Sequence, residues 1–491
     1  MVRGVCPTRQ APRNHFPPWA RQAACGRLPG RTGLELAARA RTGSGRERRH
    51  NTSHACRSHP GVPHRRLPAM TSSIVVGAAS SPASLACRFC GASLRDTFID
   101  LGPQPLCESF LAADELDRME PFYPLHVRIC RECLLVQLPA YVAREAIFGE
   151  YAYFSSYSDS WVEHARRYTD AIVERLGLDG SSLAVELASN DGYLLQHFVA
   201  RGIPCLGVEP ARNVAAAATA RGVPTLVEFF GRELAGRIRS ERGPADLVIG
   251  NNVLAQVPDL NDFVAGIALL LAPRGVATLE FPHVVRLVEG VQFDTIYHEH
   301  FSYFSLTTVS RIADAHGLAL IDVEELPTHG GSLRVYLAPL GSGIAPGSNV
   351  GRLIYLEREE GYAAVDGYAG FEDRVREVKR ALLAYLIDAR RAGRSIAGYG
   401  APGKGNTLLN YCGIRTDLVD YTVDRNPYKH GRFTPGTRIP IHDPSRIAET
   451  RPDVILILPW NLRDEIVRQL APTRAWGAQL VVPIPTTSVV G

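Results

Sequence analysis

The most informative segment of the sequence is Val185-Glu186-Leu187-Ala188-Ser189-Asn190-Asp191-Gly192-Tyr193. Its apolar start predicts a buried strand, and the small polar residues before Tyr193 predict a turn that leads into a helix. At the carboxyl end of a parallel strand, beside a helix N-terminus, the backbone of such a turn can approach a bound ligand closely. The segment therefore predicts a ligand site on a parallel sheet.

Strand and helix patterns alternate on both sides of this segment. Strands are predicted at 183–187, 205–208, 245–250 and 275–281, with helices at 193–200, 214–221 and 259–271. A long helical stretch at 352–392 precedes a second alternation, with strands at 395–398, 420–423 and 453–458. Such alternation predicts parallel sheets with crossover helices, so we expect an α/β protein.

A second acid, Glu209, follows the next predicted strand. A carboxylate there can accept both hydroxyls of a ribose, which indicates a nucleoside cofactor. The turn lacks the G-x-G-x-x-G of NAD-binding units, so a dehydrogenase is disfavoured. Together with residues 246–258, these segments resemble class I S-adenosylmethionine-dependent methyltransferases. The resemblance implies a set of cofactor contacts: Glu186, Asn190, Asp191 and Gly192 at the methionine part, Glu209 at the ribose and Asn252 on the other side.

Two C-x-x-C pairs precede these domains, Cys87-Arg88-Phe89-Cys90 and Cys130-Arg131-Glu132-Cys133. This spacing lets four thiolates converge on one zinc ion at about 2.3 Å. Two disulfides or four buried thiols are the alternatives, but the remaining cysteines show no pairing pattern that would indicate an oxidising compartment. We expect a saturated structural zinc site, and we expect Cys107, in the same module, to be a small buried residue.

The segment Phe293-Asp294-Thr295-Ile296-Tyr297-His298-Glu299-His300-Phe301 follows the first alternation. A histidine beside a carboxylate and a phenol suits proton abstraction next to a carbonyl, with the phenol stabilising the oxyanion. In an extended stretch, His298 and His300 share one face and Glu299 lies on the other, which disfavours a metal site. A structural pair of histidines on a loop is the alternative.

A glycine-rich turn, Gly398-Tyr399-Gly400-Ala401-Pro402-Gly403-Lys404-Gly405-Asn406-Thr407, follows the first strand of the second alternation. Its glycines allow close backbone approach, and Lys404 supplies a point charge suited to phosphate. The spacing from Gly400 to Gly403 and the lack of G-K-[ST] exclude a Walker A loop.

These motifs, with the aromatic segment 150–161 and His329-Gly330-Gly331-Ser332, resemble the NDP-sugar C-methyltransferases over nearly all of residues 87–491. Those enzymes add a methyl carbon to C3 of a nucleotide-linked 4-keto-deoxysugar. The resemblance implies that Tyr297, Glu299, His300 and an upstream tyrosine, Tyr151 or Tyr153, are catalytic. It also implies substrate contacts from Gly400, Lys404, Asn406 and His329. The chain departs from the family at Gln256, where a histidine is expected, so one cofactor or substrate contact differs here.

Residues 1–69 differ from the rest of the chain. They hold 14 arginines and two glutamates, which gives this segment a charge of +12. Because the whole chain has a net charge of +4, residues 70–491 carry −8. We expect them to be disordered or to lie before the true start at Met70, with a transit peptide or a nucleic-acid-binding arm as alternatives. The acidic remainder disfavours a nucleic-acid partner. No apolar run approaches the ~20 residues of a membrane span, so we expect no membrane association.

The expected order is a zinc-binding module at 84–140, an aromatic segment and helical connector at 141–180, a class I methyltransferase domain at 181–340, a helical linker at 341–390 and a second Rossmann-like α/β domain, which binds the nucleotide sugar, at 391–491. The resemblance implies a cytoplasmic enzyme that uses S-adenosylmethionine and structural zinc, with a nucleotide-diphosphate sugar bound between the two sheets. The alternatives are a methyltransferase of another small molecule or of a macromolecule, with the zinc module as recognition element, and a catalytically silent scaffold. The identity of the sugar and the oligomeric state are left open.

Overall fold

The computed structural model describes residues 85–149 and 154–490. Its N-terminal module, residues 85–140, is built on a small antiparallel sheet. In spatial order the strands are β1 (Asp96–Gln104), β2 (Tyr123–Ile129), β3 (Val136–Gln137) and β9 (Ser302–Tyr303). The fourth strand, β9, comes from the central domain about 165 residues later in the chain, so the N-terminal module does not complete its sheet from its own residues.

The central domain, residues 181–340, contains a seven-stranded sheet. In spatial order the strands are β10 (Leu318–Leu326), β11 (Ser332–Pro339), β8 (Leu271–Pro282), β7 (Ala245–Asn251), β4 (Ala184–Leu187), β5 (Cys205–Val208) and β6 (Thr225–Leu226). Strands β4 to β8 are parallel, and β11 runs antiparallel to both of its neighbours. The predicted parallel α/β sheet is confirmed.

Helices cover both faces of this sheet and bury its apolar side chains. They are α2 (Asp159–Leu176), α3 (Gln196–Val199), α4 (Arg212–Ala220), α5 (Arg232–Arg242), α6 (Leu260–Leu270) and α8 (Leu306–Ala315). The short α1 (Arg144–Phe148) precedes them, and α7 (Val284–Glu289) belongs to a separate core that it shares with β1 and β2. The alternating residues of β4 separate two cores: Val185 packs with α5, α6 and α8, and Ala184 packs with α2, α3 and α4.

The C-terminal domain, residues 391–490, contains a second sheet. In spatial order its strands are β14 (Ile441–His442), β13 (Tyr421–Val423), β12 (Ile396–Tyr399), β15 (Val454–Ile457), β16 (Gln479–Val482) and β17 (Ser488–Val490). The first five are parallel and β17 is antiparallel. Its helices are α11 (Gly403–Cys412), α12 (Ser445–Thr450) and α13 (Arg463–Gln469). From β12 the chain builds β13 and β14 on one side and then returns to build β15 and β16 on the other side. This reversal of strand order creates a crevice between the carboxyl ends of β12 and β15.

The linker is not the single long helical stretch that the sequence predicts. It forms α9 (Ser348–Glu359) and α10 (Phe371–Arg391), with turns between them. Gly361 and Gly370 adopt φ values of +91° and +78° there, a region that side chains disfavour, so the glycines interrupt the helix. Among the described helices, none is long and apolar enough to cross a bilayer.

Candidate active site

A cavity of about 1060 Å³ lies where the carboxyl ends of the central strands face those of the C-terminal strands. Nine of the predicted site residues line it: Asn190, Glu209, Asn252, Tyr297, Glu299, His300, His329, Gly400 and Lys404. Four do not: Glu186, Asp191, Gly192 and Asn406. Tyr151 and Tyr153 lie outside the described residues. The cavity thus brings together segments that are more than 200 residues apart in sequence.

Glu209 is held by main-chain amides at the end of the cavity next to β4 and β5, which we call the cofactor end because the predicted cofactor contacts lie there. Its two carboxylate oxygens accept hydrogen bonds from Asn190 N and Ala211 N, both at 2.9 Å. Burial raises the pKa of Glu209, although these two bonds oppose the shift. Asn190 itself has a φ of +49°, a strained conformation that is concentrated at ligand sites.

Unpaired polar atoms mark the same end of the cavity. Among the described residues, the side-chain amide of Asn251 and Oδ1 of Asn252 are buried without hydrogen-bond partners, and both residues line the cavity. Both oxygens of Glu186, directly behind the turn, are also unpaired, and burial raises the pKa of this carboxyl well above its usual range. Buried polar groups are normally satisfied, so the unpaired atoms of Asn251 and Asn252, which face the cavity, fit a polar ligand such as S-adenosylmethionine.

Asp191 and Gly192 perform supporting roles in the turn. Asp191 pairs with Arg221 at 3.0 Å and accepts a hydrogen bond from Ser156 N at 3.3 Å. A Cβ on Gly192 would lie 3.2 Å from Cβ of Ala218, so this glycine permits close packing against α4 rather than close approach to a ligand. The prediction that Asp191 and Gly192 contact the cofactor came from the sequence motif alone. The motif does not show which residues of the turn face the cavity, and these two do not line it.

The aromatic segment runs along the cavity beside the turn. Ser155 N donates to Oδ1 of Asn190 at 2.9 Å, and Phe154, Tyr157 and Trp161 line the cavity. Trp161 meets His329 edge to face at a centroid distance of 5.4 Å. The segment therefore connects the cofactor end to His329.

His300 is a neutral imidazole with a defined tautomer. Its Nδ1 donates to the Thr295 carbonyl at 3.0 Å, so Nε2 carries the lone pair. Burial lowers the pKa of His300 to about 4. The ring of Tyr297 lies 4.1 Å from it, and burial raises the pKa of that phenol well above its usual range. The Sγ atom of Cys107 donates to Oε1 of Glu299 at 3.7 Å.

The expectation that His298 and His300 share one face is wrong. The chain turns here, with His300 N donating to Tyr297 O at 2.9 Å. His298 consequently points away from the cavity toward the N-terminal module, where its Nε2 donates to the Pro124 carbonyl at 3.3 Å. The turn places Tyr297, Glu299 and His300 in the cavity together.

The C-terminal end of the cavity carries Lys404, in the first turn of α11. Its Nζ donates to Oδ1 of Asn461 at 2.9 Å and lies 5.0 Å from the ring of Trp460. Burial lowers the pKa of Lys404, and nearby Asp294 opposes that shift. Gly400 has a φ of +85°, and a Cβ there would lie 2.7 Å from Pro459. Asn406 is instead buried under the cavity, where its Nδ2 donates to the Cys107 carbonyl at 2.6 Å.

Sequence reasoning missed Asn461 and Asn251, which both line the cavity. Each follows or ends a buried strand on the ligand side of its sheet, Asn251 at the end of β7 and Asn461 shortly after β15. The rule that ligands bind beyond the carboxyl ends of parallel strands was the signal that could have found them.

The four predicted metal ligands converge in the N-terminal module. The Sγ atoms of Cys87, Cys90, Cys130 and Cys133 all lie within 4.8 Å of one another. A tetrahedral zinc with bonds of about 2.3 Å requires sulfur atoms about 3.8 Å apart. The two knuckles are alike, since Gly91 and Leu134, each one residue past its pair, have φ values of +74° and +64°. The donor set and its geometry fit zinc.

Three family models match the chain along its length. They describe a zinc binding domain at residues 87–148, a methyltransferase domain at 161–323 and a C-methyltransferase C-terminal domain at 327–485. Over 407 residues the chain is 36% identical to C-methyltransferase NovU of Streptomyces niveus, which covers 82% of this chain and 96% of that protein. The chain belongs to this C-methyltransferase family. The C-methyltransferase described here is therefore S-adenosylmethionine-dependent and carries a zinc module.

Similar solved structures include other methyltransferases. Magnesium protoporphyrin IX methyltransferase of Synechocystis with bound S-adenosylmethionine is 16% identical, with a TM-score of 0.29, and the match covers 37% of this chain and 82% of that one. A TehB-like S-adenosylmethionine-dependent methyltransferase of Corynebacterium glutamicum is 13% identical, with a TM-score of 0.26, over 36% and 86% of the two chains.

Proposed function

We propose that this C-methyltransferase methylates C3 of a nucleotide-linked 4-keto-deoxysugar through an enolate. One observation carries the proposal: Tyr297, Glu299 and His300 line the same cavity as Glu209 at one end and Lys404 at the other. A base, an oxyanion donor, a nucleoside clamp and a phosphate-binding cation are the groups that this reaction requires. We place the reaction in the cytoplasm, in keeping with the absence of disulfides among the seven described cysteines.

In the proposed reaction, Nε2 of His300 takes the C3 proton next to the keto group. The electrons of the broken C–H bond pass into the enolate, and the developing charge resides on the keto oxygen. The phenol of Tyr297 keeps its proton because burial raises its pKa, so it donates a hydrogen bond to that oxygen. The proton on His300 then returns to solvent.

The cofactor and the sugar nucleotide are assigned to opposite ends of the cavity. Glu209 and the Asn251 and Asn252 amides would hold S-adenosylmethionine, which would supply an electrophilic methyl group to the enolate C3 carbon, with S-adenosylhomocysteine as the leaving group that keeps the electrons of the S–CH₃ bond. Lys404 and the glycine turn at Gly400 would hold the diphosphate at the N-terminus of α11, where helix dipole and backbone amides favour an anion. The protein's contribution is positioning and oxyanion stabilisation.

Mass spectrometry of matched substrates tests the proposal. We would incubate the enzyme and S-adenosylmethionine with a dTDP-linked 4-keto-6-deoxyhexose that carries deuterium at C3. The matched controls are the same compound reduced at C4 and the 4-keto sugar without its nucleotide. We expect one added CH₂ and loss of deuterium for the first compound alone. Methylation of the C4-reduced control would overturn the proposal, because that compound has no acidic C3 proton, and so would a methylated product that keeps the deuterium.

A further inference from the structure

The side chain of Cys107, in a loop of the N-terminal module, contacts the segment at 293–301 that contains Glu299; we call residues 293–301 the catalytic segment. Cys107 follows β1, does not belong to the cluster of four predicted zinc ligands, and is buried with 3% exposure. Its Sγ donates to Oε1 of Glu299 across 192 residues of sequence, at a distance of 3.7 Å. The reaction proposed above does not use this thiol.

Cys107 contacts one residue that lines the cavity, Glu299, and one that is buried beneath it, Asn406. Besides its thiol contact with Glu299, its carbonyl accepts the 2.6 Å hydrogen bond from Asn406 on α11. A Cβ added to Gly403, at the start of the same helix, would lie only 2.9 Å from Sγ of Cys107. The residue is therefore fixed from the C-terminal domain while it contacts Glu299 from the other side.

The Cys107 thiol is the donor in its contact with Glu299. Burial and the adjacent carboxylate raise the pKa of the Cys107 thiol well above its usual range, so the thiol keeps its proton and acts as a donor. Cys107 lines the cavity, but a protonated thiol cannot compete with His300 as a base and is a poor nucleophile. Its remaining use is to hold one oxygen of a carboxylate.

We propose that Cys107 is a positioning residue: its thiol fixes the orientation of Glu299, so that the zinc module supplies part of the catalytic centre. This inference rests on the proposed function, in which Glu299 lines the cavity with His300 and orients that base or shares its proton. It explains why Cys107 sits at the meeting point of the loop, the catalytic segment and α11. The contact also gives the zinc module a function in the rate of methylation in addition to its function in folding.

Kinetics of three variants test the inference. Cys107→Ala removes the donor, and Cys107→Ser keeps a donor of similar shape. Cys412→Ala is the matched control, because Cys412 is a buried thiol at the end of α11 that does not line the cavity. We expect Cys107→Ala to lower kcat about tenfold with KM nearly unchanged, Cys107→Ser to recover most of that loss, and Cys412→Ala to keep wild-type kcat. Rates are divided by the active-site concentration from S-adenosylhomocysteine titration.

A merely structural Cys107 predicts a different pattern. In that case Cys107→Ala would lower the number of active sites and keep kcat per site, and Cys412→Ala would behave in the same way. That result would overturn the inference.

A second readout does not depend on turnover or on the substrate. The infrared S–H stretching band of Cys107, identified by its loss in Cys107→Ser, should shift in Glu299→Gln because a neutral amide accepts a weaker hydrogen bond than a carboxylate. An unshifted band would refute the contact even if no nucleotide sugar proved to be a substrate. A shifted band without turnover on any 4-keto sugar would support the contact and contradict the proposed function alone.

Discussion

Burial keeps His300 neutral, and the Thr295 carbonyl fixes which ring nitrogen carries the proton. We expect His300→Asn to lower the rate of methylation by ~10²–10⁴, the contribution of a positioned base, because Asn can still donate to Thr295 O but has no basic nitrogen. Affinity for S-adenosylhomocysteine and for the sugar nucleotide should stay near wild type. Single-turnover methylation and calorimetry measure the two effects. A near wild-type rate would move the search for the base to His329, since His298 faces Pro124.

The acid limb of the pH profile follows from the same residue. A histidine that acts as base must be neutral, and the folded pKa of His300 is about 4, lowered by burial from 6.5. Its neutral form is therefore complete at pH 6.5 and is lost only as the pH falls through about 4. We expect kcat/KM to show no His300 limb near pH 6.5. Burial raises the pKa of Asp294 to about 6, so any change in kcat/KM near pH 6 is assigned to Asp294 and should disappear in Asp294→Asn.

Substitution of Glu209 tests whether this residue binds the cofactor. In Glu209→Gln one oxygen becomes an amide donor that faces a main-chain N–H, so one of the two 2.9 Å hydrogen bonds is lost. We expect S-adenosylhomocysteine to bind about 10- to 100-fold more weakly, because its ribose hydroxyls would lose hydrogen bonds to a charged acceptor and the carboxamide would be less well held. Lys404→Gln is the control and should keep that affinity. Equal affinity in Glu209→Gln and wild type would remove Glu209 from the site.

At the scale of elements, the start of α11 tests how closely the domains are packed. In Gly403→Ala the new Cβ would lie 2.9 Å from Cys107 Sγ and 3.1 Å from Glu108 Oε1. Overpacking costs about 1–3 kcal/mol, whereas the higher helix propensity of alanine returns at most about 1 kcal/mol. We expect a net loss in the free energy of unfolding and a higher KM for the nucleotide sugar.

Gly351, inside α9, is the matched control for that experiment. A Cβ there meets nothing within 4 Å, so Gly351→Ala gains helix propensity without a clash. We expect it to raise the free energy of unfolding by about 0.5–1 kcal/mol, measured by urea denaturation. If Gly403→Ala were stabilised equally, the packing argument would be wrong.

Elements with local signals were predictable from the sequence. The apolar run before Glu186 and the polar turn after it identify β4 and its neighbours, because both signals lie within a few residues. The pairing of Val136 with Tyr303 was not predictable, since it joins residues far apart in sequence. The same limit applies to the site: the types of Tyr297, Glu299 and His300 were informative, but the turn that sends His298 away depends on packing against β2.

At the scale of the whole molecule, the zinc site determines whether the N-terminal module holds its shape. The module leaves its sheet to be completed by β9, and its saturated four-cysteine site has no position for water, so the metal serves folding. We expect one zinc per chain, a lower Tm after chelation, and recovery of both Tm and activity when zinc is returned. Normal metal content and Tm in Cys90→Ser would contradict the assignment.

The contacts made by α11 have a consequence for exchanging parts between related enzymes. Asn406 donates to the carbonyl of Cys107, and Thr407 donates to the carbonyl of Ile296 at 3.1 Å. Both acceptors are backbone atoms, which every homologous chain possesses whatever its side chains. A C-terminal half transplanted from a relative would therefore find its anchor points in place, provided that it keeps an amide and a hydroxyl at these two positions and glycine at 403. Chimeras joined within residues 341–347 should inherit their nucleotide preference, but not the catalytic residues that contact the sugar, from the donor of the C-terminal half.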